Sequence, residues 1–247
     1  MTLDEVLKAL FGTTFTVDVR ADGTLFGEVR LTPTQSAALI GVVQGAPLGV
    51  EGALALAHRV LTLIRAGQRQ PIFVLIDSDS QRMSQRDELL GLNEYLSHLA
   101  KVLWQADRSG FPTITLLYGG GAAGAFVTTA LSTRALIVLP GAHPAVMDLG
   151  SIARVTKLPV DLLQKMGERT PVFAPGIANI ELMGAVTESW GAESNLPERV
   201  LSLLQRFGEL PEDGRDQRGR ECGGRTLAAG IAEQVMRAAL AATPHTT

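Results

Sequence analysis

The stretch TITLLYGGGAAGAFVTTAL, residues 113–131, runs from an apolar segment through three glycines into small residues and then an apolar, helix-compatible run. Gly119, Gly121 and Gly124 satisfy G-x-G-x-x-G, the spacing of a dinucleotide fingerprint between a strand and a helix. The same residues suit a different task. The first amides of a helix have no intrahelical acceptor, and Ala123, Gly124 and Ala125 are small enough to let a carbonyl oxygen reach them. The helix dipole adds favourable potential for negative charge there. Fixed backbone donors of this kind lower a barrier by about 3–4 kcal/mol each when charge develops in the transition state. Tight strand–helix packing accounts for small residues equally well.

The surroundings argue against a nucleotide. A dinucleotide fold places its fingerprint in the first strand–helix–strand unit and follows it with an acid about 20 residues on. Here the motif lies mid-chain, and the next strand candidate, RALIVLP (134–140), ends in Pro-Gly without an acid. GGGAAGAF also lacks the Lys-Ser/Thr of a phosphate-binding P-loop.

Working outward, strand candidates lie at 37–45, 71–77, 112–118 and 134–140, with HPAVMDL a further one. The periodicity predicts helices after 49 and over 86–107. Residues 14–31 alternate about an Asp-Gly turn and predict a hairpin. MTLDEVLKALF has Thr2 and Glu5 at capping-box spacing, with Val6, Leu7, Leu10 and Phe11 on one stripe. Strands alternating with helices imply parallel α/β sheet. A ββα spiral and a doubly wound sheet both satisfy the regular step between 37 and 140. Beyond Gly150 the patterns are helical, including IELMGAVTESW (180–190) and LAAGIAEQVMRAALAA (227–242), while 214–225 reads as a surface loop. The expected organisation is one domain over 1–247: an N-terminal helix and hairpin (1–35), a sheet core (36–147) and a mostly helical region (148–247).

With 247 residues, 46% of them hydrophobic, the chain can bury a large core. Its net charge of −3 gives no basic field for nucleic acid. One cysteine, Cys222, excludes an internal disulfide and fits a cytoplasmic location. No apolar run is long enough for a bilayer, and the start does not read as a signal peptide. His58, His98, His143 and His245 are scattered, so no metal site is expected.

Three segments in order, PIFVLIDSDSQRMSQRDELLGLNEYLSHLAKVL, TITLLYGGGAAGAF and RALIVLPGAHPAVMDLG, resemble the carboxyltransferase branch of the crotonase superfamily. More closely, with ARVTKLPVDLL and TPVFAPGIANIELMGAVTESW, the chain resembles the gamma subunit of biotin-independent malonate decarboxylase. The resemblance covers most of 70–190. It implies a crotonase-like ββα spiral of the acyl-CoA carboxyltransferase C-terminal-half type, with a helical C-terminal region. It also implies an enzyme subunit that works beside a beta subunit of similar fold. Together they would release CO2 from a malonyl thioester on an acyl carrier protein, the delta subunit, to leave acetyl thioester. The carrier's arm would be phosphoribosyl-dephospho-CoA, an alpha subunit would exchange acetyl for malonate, and this chain would bind no cofactor.

Carried over residue by residue, the resemblance places one oxyanion amide at Ser84 and the other at Gly124, with Ala125 beside it. Ala123, Arg82 and Arg86 become substrate-binding candidates, the arginines for a carboxylate or the carrier's phosphates. Where relatives carry P-G-F-x-x-G, this chain has Asp79, Ser80, Gln81, Arg82, Met83 and Ser84. Asp148 would orient a backbone group, whereas Glu94 and His143 read as surface and structural. Three alternatives stand beside this one: a malonyl-thioester:biotin-protein carboxyltransferase subunit, a crotonase-type acyl-CoA hydratase or isomerase, and a non-catalytic scaffold. The second is disfavoured because AHPAVMDLG lacks the expected Glu.

Overall fold

Every central strand of the sheet sends alternate side chains into one of two apolar clusters, one on each face. In a computed structural model, residues 1–147, 149–168, 176–191, 195–210, 214–224 and 226–242 are described. Among the described residues eight strands form one sheet: β1 (Phe15–Val19), β2 (Thr24–Thr32), β3 (Gln35–Val42), β4 (Ile72–Ser78), β5 (Thr113–Ala122), β6 (Ala135–Val138), β7 (His143–Ala145) and β8 (Glu188–Ser189). The order is β1-β2-β3-β4-β5-β6-β8, and β7 pairs with β5 off that path. From β3 to β8 the pairings are parallel, but β1, β2 and β3 pair antiparallel. The predicted hairpin thus adds an antiparallel edge to the parallel sheet expected from the strand–helix alternation.

Ile72, Val74 and Ile76 face one cluster, together with α2 (Val50–Ala66), α4 (Leu92–Arg108) and α5 (Ala123–Thr129). Phe73 and Leu75 face the other, with α1 (Leu3–Phe11) and α9 (Leu196–Gln205). Covering both faces is what near-continuous apolar strands require. The capping box of α1 forms as expected: Thr2 Oγ1 accepts from the Glu5 amide at 3.3 Å, and Glu5 Oε2 accepts from the Thr2 amide at 2.8 Å.

Three expectations need correction. The helix predicted over 86–107 is two helices, α3 (Gln85–Leu89) and α4, separated by Gly91 at φ 78°. That left-handed residue redirects the chain so that the Leu92, Leu96 and Leu99 stripe reaches the core. IELMGAVTESW divides into the end of α8 (Ile177–Leu182) and strand β8. Thr187 donates its amide to Leu136 O, and Trp190 donates its own to Val138 O, both at 2.8 Å, so an open sheet edge captures what periodicity reads as helix. The 214–225 loop contains α10 (Arg215–Glu221). Arg215 donates to Thr133 O, and Arg218 donates to Val186 O and Thr187 Oγ1 at 3.3 and 3.2 Å. These tertiary partners organise a segment that lacks local signals.

Beyond β8 the described chain is helical, ending in α11 (Ala228–Ala242); α6 (Leu149–Thr156) and α7 (Val160–Gly167) precede α8. No helix among the described residues is long and apolar enough to cross a membrane.

Candidate active site

The glycine run is strand, not turn. β5 continues through Ala122, pairing with β6 over Ile114–Leu117 and with β7 over Gly120–Ala122. Opposite β4 the register slips: Ile76 faces Leu117, but Ser78 faces Gly121. This bulge on β5 re-aims its end, as bulges beside functional sites commonly do. Asp77 holds it, with Oδ1 accepting from the Gly120 amide at 2.9 Å. A Cβ on Gly119 would sit 2.1 Å from that same carboxylate oxygen, so only glycine fits. The reversal into α5 falls instead on Ala123, at φ 49°, a conformation unfavourable for a residue with a Cβ.

The segment after β4 approaches this corner. Leu48 donates its amide to Ser80 O at 2.9 Å, and Arg82 donates its own to Leu48 O at 2.8 Å. Ser78 Oγ donates to Ala46 O at 2.8 Å. Residues 78–82 are thus tied to the loop that leads into α2. Ser84 then caps α3, its Oγ accepting from the Asp87 amide at 3.1 Å.

The amides expected to stand open are engaged. Gly124 donates to Gln81 Oε1 at 2.8 Å, and Ser84 donates to Arg82 O at 3.2 Å. As folded here, neither is a free donor. The reason in each case is that a helix start leaves amides that any nearby oxygen will satisfy. Ala125 is buried in the first turn of α5, and Ala123 is half-buried beside it. Thr128 and Thr129 return their hydroxyls to Gly124 O and Ala125 O, at 2.8 and 2.6 Å.

Arg82 and Arg86 sit together in a four-charge cluster. Arg82 lies 3.4 Å from Asp87 and 3.7 Å from Glu51; Arg86 lies 3.2 Å from Asp87 and 2.5 Å from Glu51. Two guanidiniums thus face two carboxylates, and the cluster is formally neutral. Bonding to Arg86 holds the Glu51 carboxyl below its usual range and raises the Arg86 guanidinium. Glu51 also offsets the cost of placing Arg82 at the positive end of α2, where a Cβ on Gly49 would meet its guanidinium at 2.1 Å.

The structure brings Gly124, Ala125 and Ala123 to one corner, and Gln81 reaches across to it. The arginines form a separate brace. Gln81 and Asp77 each reach the corner across 43 residues of chain, and no local motif signals either contact. His143 is exposed, its Nδ1 2.9 Å from Gly141 O. Glu94 is exposed on α4. Asp148 and residues 170–175 of TPVFAPG lie outside the described residues. A cleft of about 450 Å3 lined by Leu10, Phe11, Pro197 and Val200 lies between α1 and α9, away from the corner.

The family described as malonate decarboxylase gamma subunit matches residues 43–239. A curated relative, the malonyl-S-ACP:biotin-protein carboxyltransferase of Malonomonas rubra, is 24% identical over 204 residues, 75% of this chain and 70% of that protein. In the Pseudomonas malonate decarboxylase MdcD–MdcE hetero-dimer, one chain matches with TM-score 0.73 and 21% identity, over 93% of this chain and 97% of that one. Transcarboxylase 12S matches with TM-score 0.68 and 15% identity, over 85% of this chain and 42% of that one. The fold is accordingly the crotonase-like one of carboxyltransferases, and the chain belongs to the malonate decarboxylase gamma subunit family.

Proposed function

We propose that this chain, joined to a beta subunit of similar fold, forms the site that expels CO2 from a malonyl thioester and leaves an acetyl thioester. The observation that carries this reading is the family match over 43–239, which includes both the segment after β4 and the β5–α5 corner. The substrate would arrive on the phosphoribosyl-dephospho-CoA arm of an acyl carrier protein, loaded by an alpha subunit. In this reading the chain's share is electrostatic.

Loss of CO2 from a malonyl thioester leaves an enolate whose oxygen carries the new charge. Donors that are already oriented stabilise it without reorganising. The corner supplies the start of α5, its Gly124 amide already bonded to Gln81, on a backbone stiffened by the Asp77–Gly120 and Leu48–Arg82 bonds. The beta subunit would supply the facing donors and exclude water.

The test is CO2 release from malonyl thioester by the reconstituted beta–gamma complex. Gly124 has an ordinary backbone conformation, and an added Cβ would meet Gln81 Oε1 at 3.2 Å and Leu96 Cδ1 at 3.4 Å. Gly124→Ala is therefore expected to keep most activity. Gly124→Val, which must displace Gln81, is expected to lose about 100-fold or more while assembly persists. Full activity in Gly124→Val would remove the corner from the mechanism.

The similarity to the Malonomonas rubra protein favours one second reading, transfer of the carboxyl group to a biotin protein. CO2 release without any biotinylated protein decides against it; dependence on one decides for it.

A further inference from the structure

We infer that Gln81 carries the hydrogen-bonding power of the Gly124 amide outward, so that its side-chain NH2 is the donor that meets the substrate's oxygen. This deepens the function proposed above and rests on it. A backbone N–H can only donate, so the Gln81 atom 2.8 Å from the Gly124 nitrogen is the carbonyl oxygen. That orientation turns Nε2 and its two hydrogens away from Gly124. Among the described residues Nε2 has no hydrogen-bond partner and is not shut off from solvent.

The side chain is held at both ends. Its backbone is fixed by the flanking Leu48–Ser80 and Arg82–Leu48 bonds and by Ser80 Oγ, which donates to Gln81 O at 2.8 Å. Its tip is fixed by Gly124. Two hydrogen bonds in series polarise one another, so donation from Gly124 into Oε1 makes Nε2–H a better donor. An amide that the corner has already consumed is thereby extended by the length of a carboxamide. The acceptor it suits is the carbonyl or carboxylate oxygen of a malonyl thioester. The departure of this segment from the P-G-F-x-x-G pattern then has a chemical consequence: a side-chain donor takes over from a backbone one.

Gln81→Glu separates this role from the others. Glutamate has the same shape and still accepts from Gly124, but its outer atom is an acceptor bearing negative charge. In the beta–gamma complex, decarboxylation is expected to fall about 100-fold in kcat, with the complex unchanged by gel filtration. Activity should return partly as pH drops toward the carboxyl's range, near 4.3 when unperturbed, because the protonated acid regains an O–H donor. Gln81→Ala frees the Gly124 amide to meet substrate directly and should fall between glutamine and glutamate.

The order Gln > Ala > Glu, with acid rescue of Glu, supports the relay. Glutamate equal to glutamine means the side chain merely braces the corner, and alanine above glutamine means it blocks the site; either result overturns the relay while the wild-type complex stays active. A wild-type complex that releases no CO2 overturns the underlying function and the relay with it.

Discussion

Strand β5 and helix α11 are both rich in apolar residues, yet they dispose of them in opposite ways. Ile114, Leu116 and Leu117 are fully buried between the two helical layers, and Tyr118 is 2% exposed. Along α11 and the residue before it, Leu227, Ile231, Val235, Met236 and Leu240 are each more than half exposed. An apolar run in a parallel strand is covered by the fold's own helices. On a terminal helix the same chemistry stays in water unless something else covers it. The chain's buried apolar surface therefore lies between the sheet and its covering helices, and the apolar residues of α11 stand outside it.

The sharpest way to break this contrast is at Phe126, fully buried on α5 and packed where a Cβ on Gly121 would meet its ring at 2.8 Å. Phe126→Ala is expected to cost about 3–5 kcal/mol, read from the urea midpoint at constant slope. A cost below about 1 kcal/mol would mean that the corner is not part of the rigid core.

Tyr118 gives a smaller, pH-dependent effect. Burial, and then the charge of Asp77, push its phenol well above the ordinary value; the nearby Gln44 amide opposes this without making a well-formed hydrogen bond to Oη. A raised pKa in the folded state means stability is intact below the unfolded value of about 10 and declines as pH rises through and beyond it. Between pH 9 and 11 the wild type should lose up to about 1 kcal/mol more than Tyr118→Phe. Parallel curves for the two proteins would show that the ring ionises freely.

The least effect is expected on α11. Val235→Ser should shift the chain's own unfolding free energy by less than about 0.5 kcal/mol. A loss above 2 kcal/mol would show that α11 packs against the body of this chain, and would cancel the contrast.

The same contrast explains what was legible beforehand. The α1 capping box, the 14–31 hairpin and the central strands are encoded within a few residues: Thr2 with Glu5, an Asp-Gly turn, an unbroken VLI run. Short-range sterics and side-chain–backbone bonding decide such features almost anywhere in a protein. The break at Gly91 was missed because glycine inside an amphipathic pattern is also tolerated within a helix. Strand β8 was missed because Val186–Trp190 alternates too briefly to outweigh its helical flank. Of the candidate site, the small-residue corner at 123–125 was legible, but the bond from Gly124 to Gln81 was not.

What the sequence alone determined is the alternation of strand and helix, the absence of bulk at 123–125, and a motif order sufficient to indicate the family. Each is a local property, set by periodicity, side-chain size and sterics. Only the tertiary structure decided that the glycines are strand, that Ala123 makes the reversal, that Arg82 and Arg86 are neutralised by Glu51 and Asp87, and that Gln81 meets Gly124. Those are partnerships between distant residues, in which a donor or charge left over by one element is satisfied by whichever group the packing brings within about 3 Å.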